Sequence, residues 1–340
     1  MDFKFYVGID VSKLTLDVAF INRAQSEAIM HTQVSNDDSG ISQLQQWLQS
    51  TESFDLKQTL FCMEHTGLYN YPLLHFLTSR ELSVWVENPI HIKQTMGLQR
   101  GKNDKADAMR IAQYAFKYSD QARLWQPPRE AVEKIRHLNA LRDRLVETRS
   151  RLLTPVEEFK KYGNEQMAKM LSRSMAKSLR AIDSDLQKLE KQIKQIIDDD
   201  DQLKKLFSLT TSVVGVGFVT AVNLIIHTNE FTLFKNVRQL ACYCGVAPFE
   251  HRSGSSIRGR TRVSHLANKK LKTNLHMGTL TAVKLDAEMK KYYERKIVEG
   301  KNKMSVLNAI RNKILARVFA VVQRGTPYQK TISEVNLAVS

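Results

Sequence analysis

The sequence has few cysteines and no long apolar run. Its three cysteines, Cys62, Cys242 and Cys244, are too few for a disulfide framework, and no second pair completes a zinc site beside Cys242 and Cys244. We therefore expect buried, reduced thiols. No apolar segment is long enough to span a bilayer, and residues 1–4 lack the pattern of a signal peptide. These absences predict a cytoplasmic protein without a membrane partner.

Acidic residues are scarce relative to basic ones. The chain of 340 residues, long enough for two or three domains, has 51 Lys and Arg against 35 Asp and Glu, a formal net charge of +16. Between Arg252 and Arg324, eighteen Lys and Arg face only four Asp and Glu. A charge excess concentrated in one region favours a polyanionic partner over a merely solvated surface. The composition thus predicts nucleic-acid binding.

Apolar runs and helical patterns alternate in residues 1–125, which predicts an α/β domain. The predicted strands are Tyr6–Ile9, Leu14–Ile21, Ile29–Val34, Leu60–Met63 and Leu82–Val86, and the predicted helices are Gly40–Gln49, Tyr69–Thr78 and Asp104–Tyr118. Three strands, a helix, a fourth strand and later helices form the order expected of an RNase H-like domain.

Four carboxylates occupy the ends of these elements. Asp10 ends the first apolar run, Glu64 ends another, and Asp104 and Asp107 lie one turn apart on a predicted helix. Burying a carboxylate without a compensating cation costs roughly several kcal/mol of folding free energy. Brought together, the four would bind a hard divalent cation, Mg²⁺ or Mn²⁺. The alternative is a helix cap for Asp104 and surface ion pairs for the others.

Heptad spacing characterises the middle of the chain, residues 126–202, after Pro127 and Pro128. The seam residues are Leu138, Leu141, Leu145 and Leu152, then Leu179, Ile182, Leu186, Leu189, Ile193 and Ile196. We expect two helices joined around Pro155–Asn164, forming an antiparallel coiled coil that either braces one subunit or serves dimerisation. The acidic run Asp198–Asp201 is expected to be a solvated loop rather than a metal site.

Glycine and arginine motifs characterise residues 203–330, with 331–340 as a tail. Gly215 and Gly217 precede a predicted helix, as in helix-hairpin-helix elements that present backbone amides to phosphate, although plain turn chemistry is an alternative. Residues 252–262 mix Ser, Gly and Arg, which predicts a phosphate-binding loop. Helical patterns follow at Asn268–Leu280, which is basic, and at Val306–Val322. The predicted nucleic-acid contacts are Gly215, Gly217, Arg252, Arg258, Arg260, Arg262, Lys269, Lys270 and Lys272.

In order along the chain, four motifs resemble those of the DEDD-type insertion-sequence transposases, a family that includes the Piv-type invertases and the bridge-RNA-guided recombinases. They are Gly8-Ile9-Asp10, Glu64-His65-Thr66-Gly67, Asn103-Asp104-Lys105-Ala106-Asp107 and Arg252-Ser253-Gly254-Ser255. The resemblance implies a RuvC-like N-terminal domain, a coiled-coil middle and a mostly α-helical transposase domain. It assigns the catalytic acids to Asp10, Glu64, Asp104 and Asp107, and the nucleophile to Ser253.

The same resemblance implies the reaction and the partners. A recombinase conserves the phosphodiester energy in a phosphoserine, with Ser255 and Ser256 as competing nucleophiles. Donor and target DNA, a bridge RNA encoded by the element, and a dimer or dimer of dimers with a composite site are implied as partners. Two departures are His65, where the family has a small residue, and a missing glycine after Arg262. We expect His65 to lie at the surface or behind the metal ligands.

Two other functions fit the same residues. A RuvC-like junction nuclease would use water and form no protein–DNA adduct. A DNA-binding protein without catalytic activity would bind regardless of divalent metal and cleave nothing.

Overall fold

The computed structural model describes residues 2–25, 29–51, 54–95, 103–253, 257–264 and 266–329, without the side chains of 250–253 and 257–262. Two units make up the chain, Met1–Pro127 and Pro128–Ser340. The predicted boundaries near 125, 202 and 330 remain predictions, and the predicted tail, 331–340, lies outside the described residues.

Five strands form one mixed sheet in the first unit. They are β1 (Phe5–Val11), β2 (Thr15–Asn22), β3 (Ile29–Ser35), β4 (Thr59–Glu64) and β5 (Ser83–Glu87). The order across the sheet is β3-β2-β1-β4-β5. Strand β1 is antiparallel to β2 and parallel to β4. All five strands were predicted, with bounds that differ by one or two residues.

Helices cover both faces of this sheet. They are α1 (Asp38–Gln49), α2 (Tyr71–Ser79), α3 (Pro89–Thr95) and α4 (Asp104–Lys117). Because side chains alternate along a strand, Val7 and Ile9 of β1 pack with α1 and α2, whereas Tyr6 packs with α4. The short helix α3 was not predicted. This architecture is consistent with the predicted RNase H-like domain.

Two long antiparallel helices open the second unit, α5 (Glu130–Lys161) and α6 (Glu165–Asp198). Arg142 of α5 donates to Glu190 of α6 over 2.7 Å, and Arg149 donates to Asp183 over 2.7 Å. The predicted helix pair is therefore present, whereas supercoiling and dimerisation remain predictions.

The predicted junction at Pro155–Asn164 is shorter than expected, because Pro155 lies inside α5 and only residues 162–164 separate α5 from α6. The helix continues since one missing amide donor does not outweigh the hydrogen bonds on either side. The predicted seam in α5 also needs a correction. Leu141 is 43% exposed, whereas Ile135 and Asn139 are buried. Apolar spacing was misleading there because α5 also buries a polar position, at which Asn139 donates to Asn223 Oδ1 over 3.2 Å.

The acidic run Asp198–Asp201 is only partly the predicted solvated loop: three of its side chains are exposed, but only Asp199 and Asp200 lie between two helices. Asp198 ends α6, and Asp200 caps α7 (Asp201–Thr211) by accepting from the Leu203 amide over 2.9 Å. Asp200 also accepts a hydrogen bond of 2.6 Å from Arg129, which lowers the pKa of Asp200. Its role is therefore structural.

The rest of the second unit is mostly helical around an apolar core. Its helices are α8 (Phe218–Thr228), α9 (Val237–Tyr243), α10 (Lys269–Leu285), α11 (Ala287–Val298) and α12 (Lys303–Arg324). Fully buried core residues include Leu224, Leu240, Leu275, Ile310 and Ile314. The patterns of α10 and α12 were predicted, whereas α9 and α11 were not.

The predicted arginine loop at 252–262 needs a correction as well. Strands β6 (Pro248–Ser253) and β7 (Ile257–Val263) pair there as an antiparallel hairpin, and the 254–256 segment lies outside the described residues. The loop was predicted because the segment has too few apolar residues for a core, but hydrogen bonds between two paired backbones do not require one. The β-branched residues Ile257, Thr261 and Val263 also favour a strand.

Cys62 and Cys244 are buried free thiols, as predicted, and Cys242 is half-buried. Among the described residues, no helix is long and apolar enough to cross a membrane.

Candidate functional site

Asp10 is the next-to-last residue of β1, on the sheet face that α4 covers. Two residues earlier, Gly8 lies directly beneath α4. A Cβ atom on Gly8 would overlap the backbone of Ala108 and Ala112. The absence of a side chain at Gly8 therefore allows α4 to lie against β1, beside Asp10.

The first turn of α4 supplies two more carboxylates. Asn103 caps this helix by accepting from the Lys105 amide over 3.1 Å. The cap is therefore Asn103, and the alternative that Asp104 is the cap is wrong. Asp104 is exposed, and Asp107 is half-buried and ion-paired with Arg110.

Three carboxylates converge at this point. One oxygen from each of Asp10, Asp104 and Asp107 lies within 4.8 Å of the others. Burial, then the charges of Asp107 and Asp104, raises the pKa of Asp10 to about 6. Oxygen ligands under mutual repulsion fit a hard divalent cation, which would relieve that repulsion. The residues present thus suit Mg²⁺ or Mn²⁺.

Glu64 is near this cluster but is not part of the 4.8 Å group. It follows Met63, the β4 partner of Ile9, so its Cα lies beside that of Asp10. Burial raises the pKa of Glu64, while Lys93 opposes this effect. The structure therefore brings together three of the four predicted acids, with Glu64 on the next strand. His65 is exposed, as expected for a surface position.

Asp17 is an acid that the sequence interpretation missed. It is the cross-strand partner of Asp10 on β2, and it is 4% exposed. Its two carboxylate oxygens lie 2.9 Å from His31 Nε2 and 2.8 Å from Gln33 Nε2. The signal was a carboxylate in the middle of the apolar run Leu14–Ile21, since a buried charge needs partners.

The predicted nucleic-acid contacts lie in the second unit. The backbones of Arg252, Ser253, Arg258, Arg260 and Arg262 belong to the β6–β7 hairpin, and their side chains lie outside the described residues. Lys269 is exposed and Lys272 is half-buried. Lys270 is ion-paired with Asp143 of α5, so its charge is already partly neutralised.

The two predicted glycines differ in their surroundings. Gly215 has φ of +94°, and a Cβ atom there would lie 2.5 Å from the Gly278 carbonyl oxygen. Turn geometry and close packing explain this glycine. Gly217 is the residue before α8 and has open space around it. Of the pair, Gly217 is the one that packing does not explain, and its role as a phosphate contact stays a prediction.

A mixed sheet with an acid cluster where β1 meets α4 is consistent with a DEDD domain of the RNase H-like class. Comparison with known proteins agrees. A family model described as Transposase matches residues 7–159, and that of the Transposase IS116/IS110/IS902 family matches residues 208–294. Together the two matches span most of the chain. The chain belongs to this family of insertion-sequence transposases.

Individual relatives extend the match. The chain is 27% identical to a pilin gene-inverting protein of Moraxella bovis, over 97% of this chain and 99% of the relative. It is 24% identical to the transposase for insertion sequence element IS1111A of Coxiella burnetii, over 71% of this chain and 72% of the relative. Membership of the family implies an enzyme that acts on DNA and uses a divalent metal.

Proposed function

We propose that this protein is a DNA recombinase of a mobile element, in which Ser253 is the nucleophile and Asp10, Glu64, Asp104 and Asp107 bind the metal. The observation that carries the proposal is the convergence of Asp10, Asp104 and Asp107 in a chain matched by transposase-family models at both ends. The name of the Moraxella relatives, pilin gene-inverting protein, supports site-specific rearrangement of DNA.

The fold holds three of the proposed metal ligands in place before DNA binds. Asp10 is fixed by β1, and Asp104 and Asp107 are fixed by the first turn of α4, so the three carboxylates are held together without a cation. A divalent cation, Mg²⁺ in our proposal, would neutralise the scissile phosphate and stabilise the entering and leaving oxygens. Glu64 is the fourth proposed ligand.

Ser253 would conserve the energy of the broken phosphodiester. Its Oγ bonds to phosphorus as one P–O bond of the DNA breaks; the serine proton leaves to solvent and the departing DNA oxygen takes up a proton. A hydroxyl of another DNA strand then attacks the phosphoserine, releases Ser253 and joins the new strand. No phosphate bond is lost to water.

Phosphate binding is assigned to the basic residues of the second unit. Arg252, Arg258, Arg260 and Arg262 of the hairpin, with Lys269 and Lys272, would contact phosphate oxygens. We further propose a bridge RNA from the element and a dimer or dimer of dimers as partners. Such contacts do not distinguish DNA from RNA, so base pairing with the RNA would select the sequence.

The test is a cleavage reaction on DNA that carries the element junction, with RNA from the element flank and Mg²⁺. The products are resolved on a denaturing gel before and after protease digestion. We expect a protein-linked strand in the wild type that is absent in Ser253→Ala and in Asp10→Asn, but present in Ser255→Ala and Ser256→Ala. Cleaved strands with free ends and no adduct would instead assign the protein to the water-using nucleases.

A further inference from the structure

Arg311 of α12 is a buried cation without a counterion. It is 5% exposed, and among the described residues no carboxylate lies within ion-pair distance. Its Nη2 lies 2.8 Å from His276 Nδ1 and its Nη1 lies 3.4 Å from Asn308 Oδ1. Its Nε has no hydrogen-bond partner. Burying a guanidinium without a counterion costs free energy of folding. We therefore expect its neighbours to have a function that requires the charge at this position.

The contact with Arg311 fixes the tautomer of His276. A guanidinium has only donors, so His276 Nδ1 must accept, and the imidazole hydrogen must be on Nε2. Burial and the charge of Arg311 lower the pKa of His276, which keeps the ring neutral. His276 is half-buried, and within the described part of the chain its Nε2 has no hydrogen-bond partner. The ring thus has one free N–H donor of fixed position.

His276 belongs to the basic face of α10. Lys269, Lys272 and His276 follow one another at spacings of three and four residues, so they lie on one side of the helix. Asn308, which accepts from Arg311, also donates over 2.9 Å to the Val246 carbonyl, just before β6. The free donor therefore lies in line with cationic side chains, which favours an anionic strand as its ligand.

We propose that His276 Nε2–H donates a hydrogen bond to a phosphate oxygen of a bound nucleic-acid strand, and that Arg311 is a positioning residue that fixes this tautomer. The inference rests on the nucleic-acid binding proposed above and adds a contact to it. The ligand group is the phosphodiester, which DNA and RNA share.

The test is fluorescence anisotropy of the full-length protein with a fluorescein-labelled DNA duplex and, separately, a labelled single-stranded RNA, both in EDTA. A glutamine amide nitrogen can replace Nε2, whereas an asparagine amide reaches only the place of Nδ1. We therefore expect His276→Gln to bind like the wild type, and His276→Asn and His276→Ala to bind about tenfold more weakly. His137→Asn, at an exposed histidine of α5, is the matched control and should bind like the wild type.

Salt dependence gives a second readout. Because the donor is neutral, the slope of log affinity against log salt should be unchanged in His276→Ala, whereas it should fall by about one in Lys272→Gln. A reduced slope in His276→Ala would overturn the neutral-donor assignment. Loss of affinity for only one of the two probes identifies which nucleic acid supplies the phosphate.

Arg311→Lys tests the positioning role, with thermal melts to verify folding. In the wild-type background we expect several-fold weaker binding, and in the His276→Ala background no further loss, because the two residues act through one hydrogen bond. If Lys269→Gln and Lys272→Gln weaken binding while His276→Asn does not, this inference is wrong and the proposed interface stands. If neither lysine variant has an effect, the proposed interface itself is wrong.

Discussion

Asp10 holds its proton more tightly than an ordinary aspartate, because it is partly buried among other carboxylates. Its pKa is raised from 3.8 to about 6. Between these two pH values the folded state binds more protons than the unfolded state, so the free energy of unfolding falls as pH rises. The loss in free energy of unfolding that comes from ionising Asp10 is complete above about pH 6. The metal-free protein is thus less stable at neutral pH than at pH 4, as far as this group is concerned.

Replacing Asp10 by Asn should therefore stabilise the metal-free protein at pH 7. A change of pKa from 3.8 to about 6 corresponds to at most about 3 kcal/mol, and solvent screening at this half-exposed site reduces the expected gain to about 1 kcal/mol. Urea unfolding in EDTA at pH 7 and pH 4 measures this gain, which should be much smaller at pH 4, close to the ordinary pKa of 3.8. With Mn²⁺ the order should reverse, because only the wild type binds the ion. A variant less stable than the wild type in EDTA at pH 7 would contradict this account.

Asp17 should strengthen metal binding without being a ligand. His31 and Gln33 hold its carboxylate beside Asp10, and its charge helps to raise the pKa of Asp10. Asp17→Asn keeps the shape and removes one negative charge, so we expect Mn²⁺ affinity to fall a few-fold, whereas Asp10→Asn should abolish binding. Titration of Mn²⁺ followed by electron paramagnetic resonance measures both. Asp38→Asn, at an exposed acid of α1, is the control.

At the scale of elements, α4 approaches β1 only because residue 8 has no side chain. Gly8→Ala would force the backbone at Ala108 and Ala112 to move, and α4 with it. We expect a loss of stability of about 3 kcal/mol and weaker Mn²⁺ binding, because Asp104 and Asp107 would leave Asp10. Thermal melts and the Mn²⁺ titration measure the two effects. Gly217→Ala, where the added methyl group meets open space, should leave Mn²⁺ binding unchanged and should cost less than about 1 kcal/mol, because alanine is a poorer N-cap than glycine.

Helix α5 contains an unfavourable residue at Pro155. Its side chain is exposed, and without an amide hydrogen it cannot donate to the Arg151 carbonyl. Pro155→Ala should raise the free energy of unfolding by about 2 kcal/mol. Urea unfolding followed by far-ultraviolet circular dichroism, which reports helix content, measures the change. An unchanged midpoint would mean that this end of α5 unfolds separately from the rest.

The elements that the sequence predicted are those whose pattern is local. Strand alternation located β1 and β4, and a spacing of three residues located Asp104 and Asp107 on one side of α4. The β6–β7 hairpin was missed because its ladder depends on pairing between two segments, which a search for apolar runs does not detect. Asp17 was missed for a related reason: alternation places it on the face of Asp10, but only the register of β1 with β2 makes them neighbours.

For the whole molecule, charge is unevenly divided between the two units. Residues 1–127 contain twelve Lys and Arg against fourteen Asp and Glu, whereas residues 128–340 contain 39 against 21. The excess of basic residues thus lies in the second unit, and under the proposed function the first unit would need a cation to accept a phosphate. We therefore expect the net positive charge of the second unit to provide the long-range attraction for nucleic acid.

Metal binding and nucleic-acid binding should therefore be separable by mutation. Asp10→Asn should lose Mn²⁺ binding and cleavage yet bind DNA at least as tightly as the wild type, because a negative charge has been removed. Replacing Arg258, Arg260 and Arg262 by Gln should retain Mn²⁺ binding, weaken DNA binding and reduce the salt slope by about three, since each arginine at a phosphate releases about one counterion. Anisotropy over a salt series in EDTA, beside the Mn²⁺ titration, measures both properties. If the arginine variant lost Mn²⁺ affinity, or if Asp10→Asn lost DNA affinity, the two functions would depend on each other, and assigning them to separate units would be wrong.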